Sequence, residues 1–478
     1  MGNAMKVLLV NTNLMQPPVA PIGLDYLADS VRAAGHEASL LDLCLSSDRE
    51  ADIEKACAGA PDIIGCTIRN TDDCYIAGGS SFLPGIREIV HGLRDRTDAP
   101  IAVGGVGLSL MPEGIVEYCG ADFGIAGEGE DAFVQLLGAL GGASELEQVP
   151  GLVFWDEGGL QRNRPVDVLL DRLPPRTRSF VDNRWYFAHG GQAGFETKRG
   201  CPMACIYCAD PVSKGKRSRL LPPRRVVDEL QALRGQGIDV LHTCDCEFNI
   251  PLLHAQEVCR SIIDAGLGDG IRWYAYCSVV PFDAETAGLM RRAGCVGIDF
   301  GADSGSAEML RRLGRHFTPA DVEETARVCR EAGIPFMYDL LVGGPGETSD
   351  TVRESLDLVR RAGPDCIGVS LGVRIFEGTA LAAQVRGMGP LEANTALRGA
   401  RLDNEGFLRP LFFLAPALGP HPEAFLKELA GDDARFFLPG ATDESRDGNY
   451  NDNTALVQAI GDGARGAWWD ILRRMRAG

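Results

Sequence analysis

Cys201, Cys205 and Cys208 fall within one short segment, Thr197-Lys-Arg-Gly-Cys-Pro-Met-Ala-Cys-Ile-Tyr-Cys-Ala-Asp-Pro211, and they constrain the chain more than any other feature. The fold has to form a loop that brings these three thiolates together. There they can hold three irons of a [4Fe–4S] cluster and leave the fourth without a cysteine. An iron left open in this way can bind and reduce a ligand. A structural zinc would need a fourth ligand in register, and a disulfide framework an even number of cysteines, whereas this chain has 15. The spacing C-x3-C-x2-C therefore favours a cluster with a free coordination position.

Alternating strands and helices supply the frame around that loop. Lys6–Asn11, Ala38–Leu43, Asp62–Thr67, Ile101–Gly104 and Ala121–Ile125 read as strands. Between the first two, Gly23–Ala34 carries Leu24, Leu27, Ala28 and Val31 at helical spacing and stops at Gly35. This pattern over residues 5–142 predicts an α/β, doubly wound, Rossmann-like parallel sheet whose ligands sit at the carboxyl ends of the strands. Residues 143–192 lose the periodicity and read as a linker with a small strand pair around Gly151–Trp155. Over 193–378 the alternation returns, with strands near Phe195–Lys198, Val240–Cys244, Trp273–Cys277, Val296–Gly301, Phe336–Leu341 and Ile367–Val373. Six such units are too few to close an eight-unit barrel, which leaves a partial (β/α)6 barrel. Residues 379–478 read as a smaller region covering the barrel mouth, with an amphipathic tail carrying Trp468 and Trp469. Side chains alternate along Trp273-Tyr-Ala-Tyr-Cys277, and the sequence leaves open which set lines the barrel.

At 478 residues the chain exceeds one ordinary core and predicts about two or three domains. With 66 acidic against 47 basic residues its formal net charge is −19, which repels a phosphate backbone and argues against a nucleic-acid partner. No run of about 18 apolar residues is present, so no membrane span is expected. Cysteines scattered without the tight spacing of a secreted scaffold, and a strand-like start in place of a signal segment, point to a reducing, cytoplasmic location.

The cysteine loop, with aromatic Tyr207 before its last cysteine, resembles the signature of radical S-adenosylmethionine (SAM) enzymes. The resemblance implies that the open iron chelates SAM, and it assigns three further barrel loops to that cofactor. In Asp245-Cys-Glu-Phe-Asn249, after the second barrel strand, Glu247 matches the acid that binds the SAM ammonium, where a carboxylate pairs a charge held near a low-dielectric cluster. Asp303 and Ser304 in Phe300-Gly-Ala-Asp-Ser-Gly305 match a segment that bonds ribose hydroxyls. Gly344 and Glu347 belong to Val342-Gly-Gly-Pro-Gly-Glu-Thr348, similar to the family's Gly-x-Pro-Gly-Glu-Thr turn, after which Thr348 or Ser349 also suits a helix cap. Lys198 and Arg199 are candidates for offsetting the cluster's negative charge.

Three loops of the first domain resemble those of the cobalamin-binding domain found ahead of many radical SAM domains. They carry Thr67, Arg69 and Asn70 after the third strand, Gly104, Gly105 and Val106 after the fourth, and Gly127, Glu128 and Gly129 after the fifth. Glycine permits close backbone approach, and N–H groups at helix starts suit a phosphate and amide tail. The Asp-x-His-x-x-Gly signature is missing, and Gly107 stands where many relatives have a histidine. The lower face of cobalt then lacks a histidine, and Arg69 is the candidate catalytic residue facing it.

Together these resemblances imply three cofactors, a [4Fe–4S] cluster, SAM and cobalamin. They imply a C-methyltransferase that carries a methyl from SAM through cobalamin to an unactivated carbon of a small molecule. An electron donor such as flavodoxin or ferredoxin is the expected partner. Alternatives are a ring-rearranging or cyclising relative, an enzyme like tryptophan 2-C-methyltransferase acting on an sp2 carbon, and a cobalamin-binding sensor. A methylthiotransferase would instead hold a second cluster through cysteines such as Cys44, Cys57, Cys66, Cys74 and Cys119. A free cysteine, however, more often packs as a small hydrophobe.

Overall fold

The computed structural model describes residues 4–439 and 452–477. Its first sheet contains β1 (Lys6–Asn11), β2 (Glu37–Asp42), β3 (Ile63–Thr67), β4 (Ile101–Gly104), β5 (Phe123–Ile125), β6 (Leu152–Asp156) and β7 (Gly159–Arg162), in the order β2-β1-β3-β4-β5-β6-β7. The first five are parallel, as expected for a doubly wound sheet. The hairpin β6–β7 adds antiparallel strands at the β5 edge. Part of the expected linker thus belongs to the sheet, because Leu152, Val153 and Phe154 bury apolar side chains on both faces and cover an otherwise open edge.

The second sheet begins with β8 (Ala193–Phe195). After the short pair β9 (Lys198–Arg199) and β10 (Arg219–Leu220) it continues through β11 (Val240–Thr243), β12 (Arg272–Cys277), β13 (Cys295–Asp303), β14 (Phe336–Val342) and β15 (Cys366–Leu371). A small antiparallel sheet, β16 (Val373–Arg374), β17 (Leu397–Gly399) and β18 (Leu411–Phe413), follows, and β19 (Phe436–Phe437) returns to pair with β15. The order β19-β15-β14-β13-β12-β11-β8 is parallel throughout, and its two edges do not pair. This is a partial barrel with one strand more than the six expected.

The tail departs from the expected cover of the mouth. Helices Thr454–Gly461 and Trp468–Ala477 pack Leu456, Ile460, Trp469 and Ile471 against Val240, Tyr274, Met337 and Cys366. Those partners sit at the amino ends of β11, β12, β14 and β15, opposite the cysteine loop. The cause is chemical: the amino ends are apolar and need cover, whereas the carboxyl ends carry Glu247, Asp303 and Arg315. Residues nearer 380–415 do lie at the carboxyl ends, where Leu381 N–H donates to Ile206 O and Ala415 N–H to Gly343 O. Among the described residues no helix is long and apolar enough to cross a membrane.

A buried charge network joins the two sheets. Arg178 is 1% exposed, with Nε 2.9 Å from Asp25 Oδ2 on the first domain and Nη1 2.8 Å from Glu229 Oε1 on a barrel helix. Tyr26 donates to the same Glu229 oxygen at 2.6 Å, and Arg176 lies over the Tyr26 ring. Removing one partner of a buried pair strands the other charge, at a cost of about 3–5 kcal/mol. Arg178→Met is accordingly expected to lower unfolding free energy by about that amount in denaturant titration; an unchanged midpoint would show that the network does not hold the domains.

Candidate active site

The cysteine loop is clamped at the carboxyl ends of the barrel strands. Cys201 N–H donates to Gly215 O at 3.1 Å and Ile206 N–H to Leu313 O at 3.0 Å. Gly314 adopts φ +76°, and a Cβ there would lie 2.5 Å from Ala204 O, so only glycine lets this turn approach the loop. Cys201 feels the charge of Cys205, and Cys208 that of both others, which places the three thiols in one electrostatic neighbourhood. Burial pushes all three up, Cys208 to about 12. Metal must therefore displace their protons.

Arg315 completes this neighbourhood and was not foreseen. Its Nη1 donates to Cys205 Sγ at 3.0 Å and its Nη2 to Gly301 O at 2.6 Å, while Nε lies 3.2 Å from Asp303 Oδ2. Glu247 Oε1 is 3.9 Å from Nη2. Tyr207 donates its hydroxyl to Asp303 Oδ2 at 2.5 Å. Burial raises Glu247 to about 7, with Arg315 opposing. Burial also raises Asp303, against Arg315 and the Tyr207 hydroxyl. Three thiols and one guanidinium fit an anionic cluster, and the half-open Glu247 carboxyl beside it fits a cationic ligand. Nothing in the sequence ties Arg315 to a cysteine more than a hundred residues earlier.

Other expected residues are used differently. Ser304 is buried, bonded to Ser355 Oγ at 2.8 Å and to Ser306 N, so it fastens its turn to the helix Ser349–Ala362. Glu347 Oε2 accepts from Gly343 N at 2.8 Å and Gly344 N at 3.3 Å, holding its own turn closed. Of the two candidate caps, Thr348 is the one that caps the following helix. Arg199 faces away from the cysteines to Glu130, Glu128 and Glu196. Lys198 is buried and its charge acts on Cys201, while Lys214 lies 3.1 Å from Asp210 and 3.8 Å from Cys246 Sγ. Along β12, Trp273 packs outward against Phe195 and Phe248, whereas Tyr276 turns inward beside His242.

Opposite the barrel mouth lie the carboxyl ends of the first sheet. The β3 loop is pinned there by Asp72, whose Oδ2 pairs with Arg374 Nη2 at 2.8 Å. Arg69 on this loop is exposed, its Nη1 3.8 Å from Met15 Sδ, and it makes no ion pair among the described residues. Thr67 and Gly104 end β3 and β4, Asn70 is half-buried, and Val106 is exposed. Gly105 has φ +102° and packs where a Cβ would meet Ile68 O at 2.7 Å. Gly127 N–H donates to Ser109 Oγ, and Gly129 starts the next helix. Glu128 reaches across to Arg199, Arg219 and Val168 N, so this expected cofactor residue is an interdomain strut. A cavity of about 550 Å³ separates the β4 and β5 loops from Lys214, Gly378 and Leu408. Its glycine-rich wall suits a bulky ligand. Cys66 and Cys119 are buried in the apolar core beneath, and burial raises their thiols.

The chain matches the Radical SAM superfamily over residues 195–359 and the B12 binding domain over residues 10–137. It is 30% identical to the tryptophan 2-C-methyltransferase of Streptomyces laurentii, over 98% of this chain and 96% of that one. It is also 31% identical to the radical SAM methyltransferase TsrM of Kitasatospora setae, solved with tryptophan and a SAM analogue; the match covers 99% and 98% of the two chains at a TM-score of 0.91.

The chain belongs to the cobalamin-dependent radical SAM methyltransferases.

Its cofactors are accordingly a [4Fe–4S] cluster, SAM and cobalamin. The cobalamin-dependent radical enzyme OxsB, 19% identical at a TM-score of 0.73, shares the fold of this methyltransferase. The Cys201/Cys205/Cys208→Ala variant should fall from about four irons per chain to near zero after anaerobic reconstitution. Cys66→Ala/Cys119→Ala should keep full iron by elemental analysis. Iron that follows Cys66 and Cys119 would contradict the assignment.

Proposed function

We propose that this methyltransferase moves a methyl group from SAM, through cobalamin, onto a ring carbon of tryptophan or a close indole relative. The full-length similarity to TsrM, a protein whose structure holds tryptophan and a SAM analogue, carries this proposal. It favours an sp2 acceptor over an unactivated aliphatic carbon and over the rearranging, cyclising or sensing alternatives. When bound, cluster, SAM and cobalamin supply the electron, the methyl group and its carrier.

The chain's own residues hold these parts in line. Cys201, Cys205 and Cys208 are the proposed iron ligands, with Arg315 offsetting their charge. Glu247 takes the SAM ammonium: at 3.9 Å from Arg315 it is only partly paired, and a cation in contact draws its proton away. Tyr207 and Asp303 face the ribose side, where their mutual hydrogen bond fixes the carboxylate's orientation. Gly344 and Glu347 shape the adjoining turn and Ser304 braces it. Thr67, Asn70, Gly104, Gly105, Val106, Gly127 and Gly129 line the corrin side, with Glu128 fixing the distance to the barrel. Arg69 would be the loop residue beside the bound cobalamin, and its permanently charged guanidinium would supply no nitrogen ligand to it. A flavodoxin or ferredoxin is the proposed electron donor and the reducing cytoplasm the proposed location.

Incubating the reconstituted enzyme with methyl-deuterated SAM, reductant and L-tryptophan should give methyltryptophan bearing the labelled methyl, read by mass spectrometry. Formation of 5′-deoxyadenosine with no labelled indole product would reject the methyl-acceptor assignment in favour of a rearranging or cyclising reaction.

A further inference from the structure

A pair of carboxyl groups inside the barrel is left unused by the chemistry above. Ile298 and Phe300 on β13, and Tyr338 and Leu340 on β14, pack outward into the core between sheet and helices. Strand alternation therefore turns Asp299 and Asp339 inward. Beneath them Met337 meets the apolar plug made by the tail. Above and beside them Tyr276 and Ser370 are exposed, so the interior is open to solvent.

Asp299 is 3% exposed, and no N–H or hydroxyl reaches its buried Oδ1; the group it meets is the carboxyl of Asp339. Burial first, then Asp339 and Glu247, hold Asp299 well above the usual carboxylate range; burial and then Asp303 raise Asp339. Among the described residues no cation offsets either carboxyl. Gly368 on β15 makes the room, since a Cβ there would lie 1.9 Å from Asp339 Oδ1. A buried acid beside a half-buried one, with no cation between them, is costly to keep and is relieved by a ligand that brings one.

We propose that Asp299 and Asp339 bind the ammonium group of an amino-acid substrate and so set the depth at which its side chain is held below the mouth. A primary ammonium offers three donors to the pair's oxygens. SAM also carries an ammonium, but Glu247 at the mouth is assigned to that one. The amino-acid class of the substrate and the choice of an indole as probe rest on the tryptophan assignment above; the need for a cation rests on the carboxyl pair itself.

The test is anaerobic equilibrium binding to the cluster- and cobalamin-loaded enzyme, with L-tryptophan, tryptamine and indole-3-propionate as probes. The first two carry the ammonium and the third lacks it. Wild type should bind the ammonium compounds at least about tenfold more tightly than indole-3-propionate. D299N/D339N should lose that preference while keeping wild-type affinity for indole-3-propionate and SAM. Iron content, cobalamin content and melting temperature establish that the variant is folded, and D299N alone serves the same comparison if the double variant is not.

Wild-type affinity for tryptophan in the folded variants, or equal weakening for indole-3-propionate, overturns the proposal. A selective loss of SAM affinity also overturns it, by giving the pair to SAM. Ammonium-dependent binding lost in the variants, with no methylation of tryptophan by wild type, upholds the pair and rejects tryptophan as acceptor. Methylation of tryptophan by D299N/D339N with wild-type KM rejects the pair alone.

Discussion

Arg178, shut away from water between Asp25 and Glu229, is the contact on which the arrangement of this enzyme depends. Two parallel sheets can each bind a cofactor at their carboxyl ends, but the two cofactors can react together only if those ends face one another across a fixed gap. Arg178 and Arg176 fasten the domains along one side. Arg199 and Arg219 reach Glu128 and Glu130 nearer the gap, and Arg374 holds Asp72 on the far side. Such pairs gain little net energy because desolvation opposes them. What they provide is direction, since the five N–H donors of a guanidinium point outward in one fixed plane. The cavity between the β4 and β5 loops and Lys214 is the space these struts keep open.

The cluster side is organised by one further arginine. Arg315 touches Cys205, Asp303 and the Gly301 carbonyl together, so the cysteine loop and the carboxyl end of β13 are registered through a single side chain. Burial holds the surrounding acids and thiols high, so binding of metal or a cation must remove their protons. Metal and cation binding at this mouth are thus linked to proton release.

The strands and the cysteine loop were legible because period and spacing are local: Lys6–Asn11 and Ile101–Gly104 are predicted and found with the same ends. Helix capping at Thr348 was legible for the same reason. What was missed depends on contacts between distant segments. The sequence pattern sets the tail over the barrel mouth, whereas the apolar character of Val240, Tyr274 and Met337 draws Trp469 to the amino ends. Glu128 sits in a loop pattern typical of ligand contact, yet Arg199 and Arg219 arrive from the other domain and occupy it. Ser304 matched a motif position, but the helix bearing Ser355 takes its hydroxyl. Arg315 and the Asp299–Asp339 pair had no local pattern at all.

Anomalous diffraction at the iron and cobalt edges, from crystals of the reconstituted enzyme, tests the facing-edges arrangement most directly. Iron peaks should lie within the loop of Cys201, Cys205 and Cys208 beside Arg315. One cobalt peak should lie across the gap, over Arg69 and between the β3 loop and the barrel mouth. A cobalt peak on the tail side of the barrel, or iron at Cys66 and Cys119, would contradict the account.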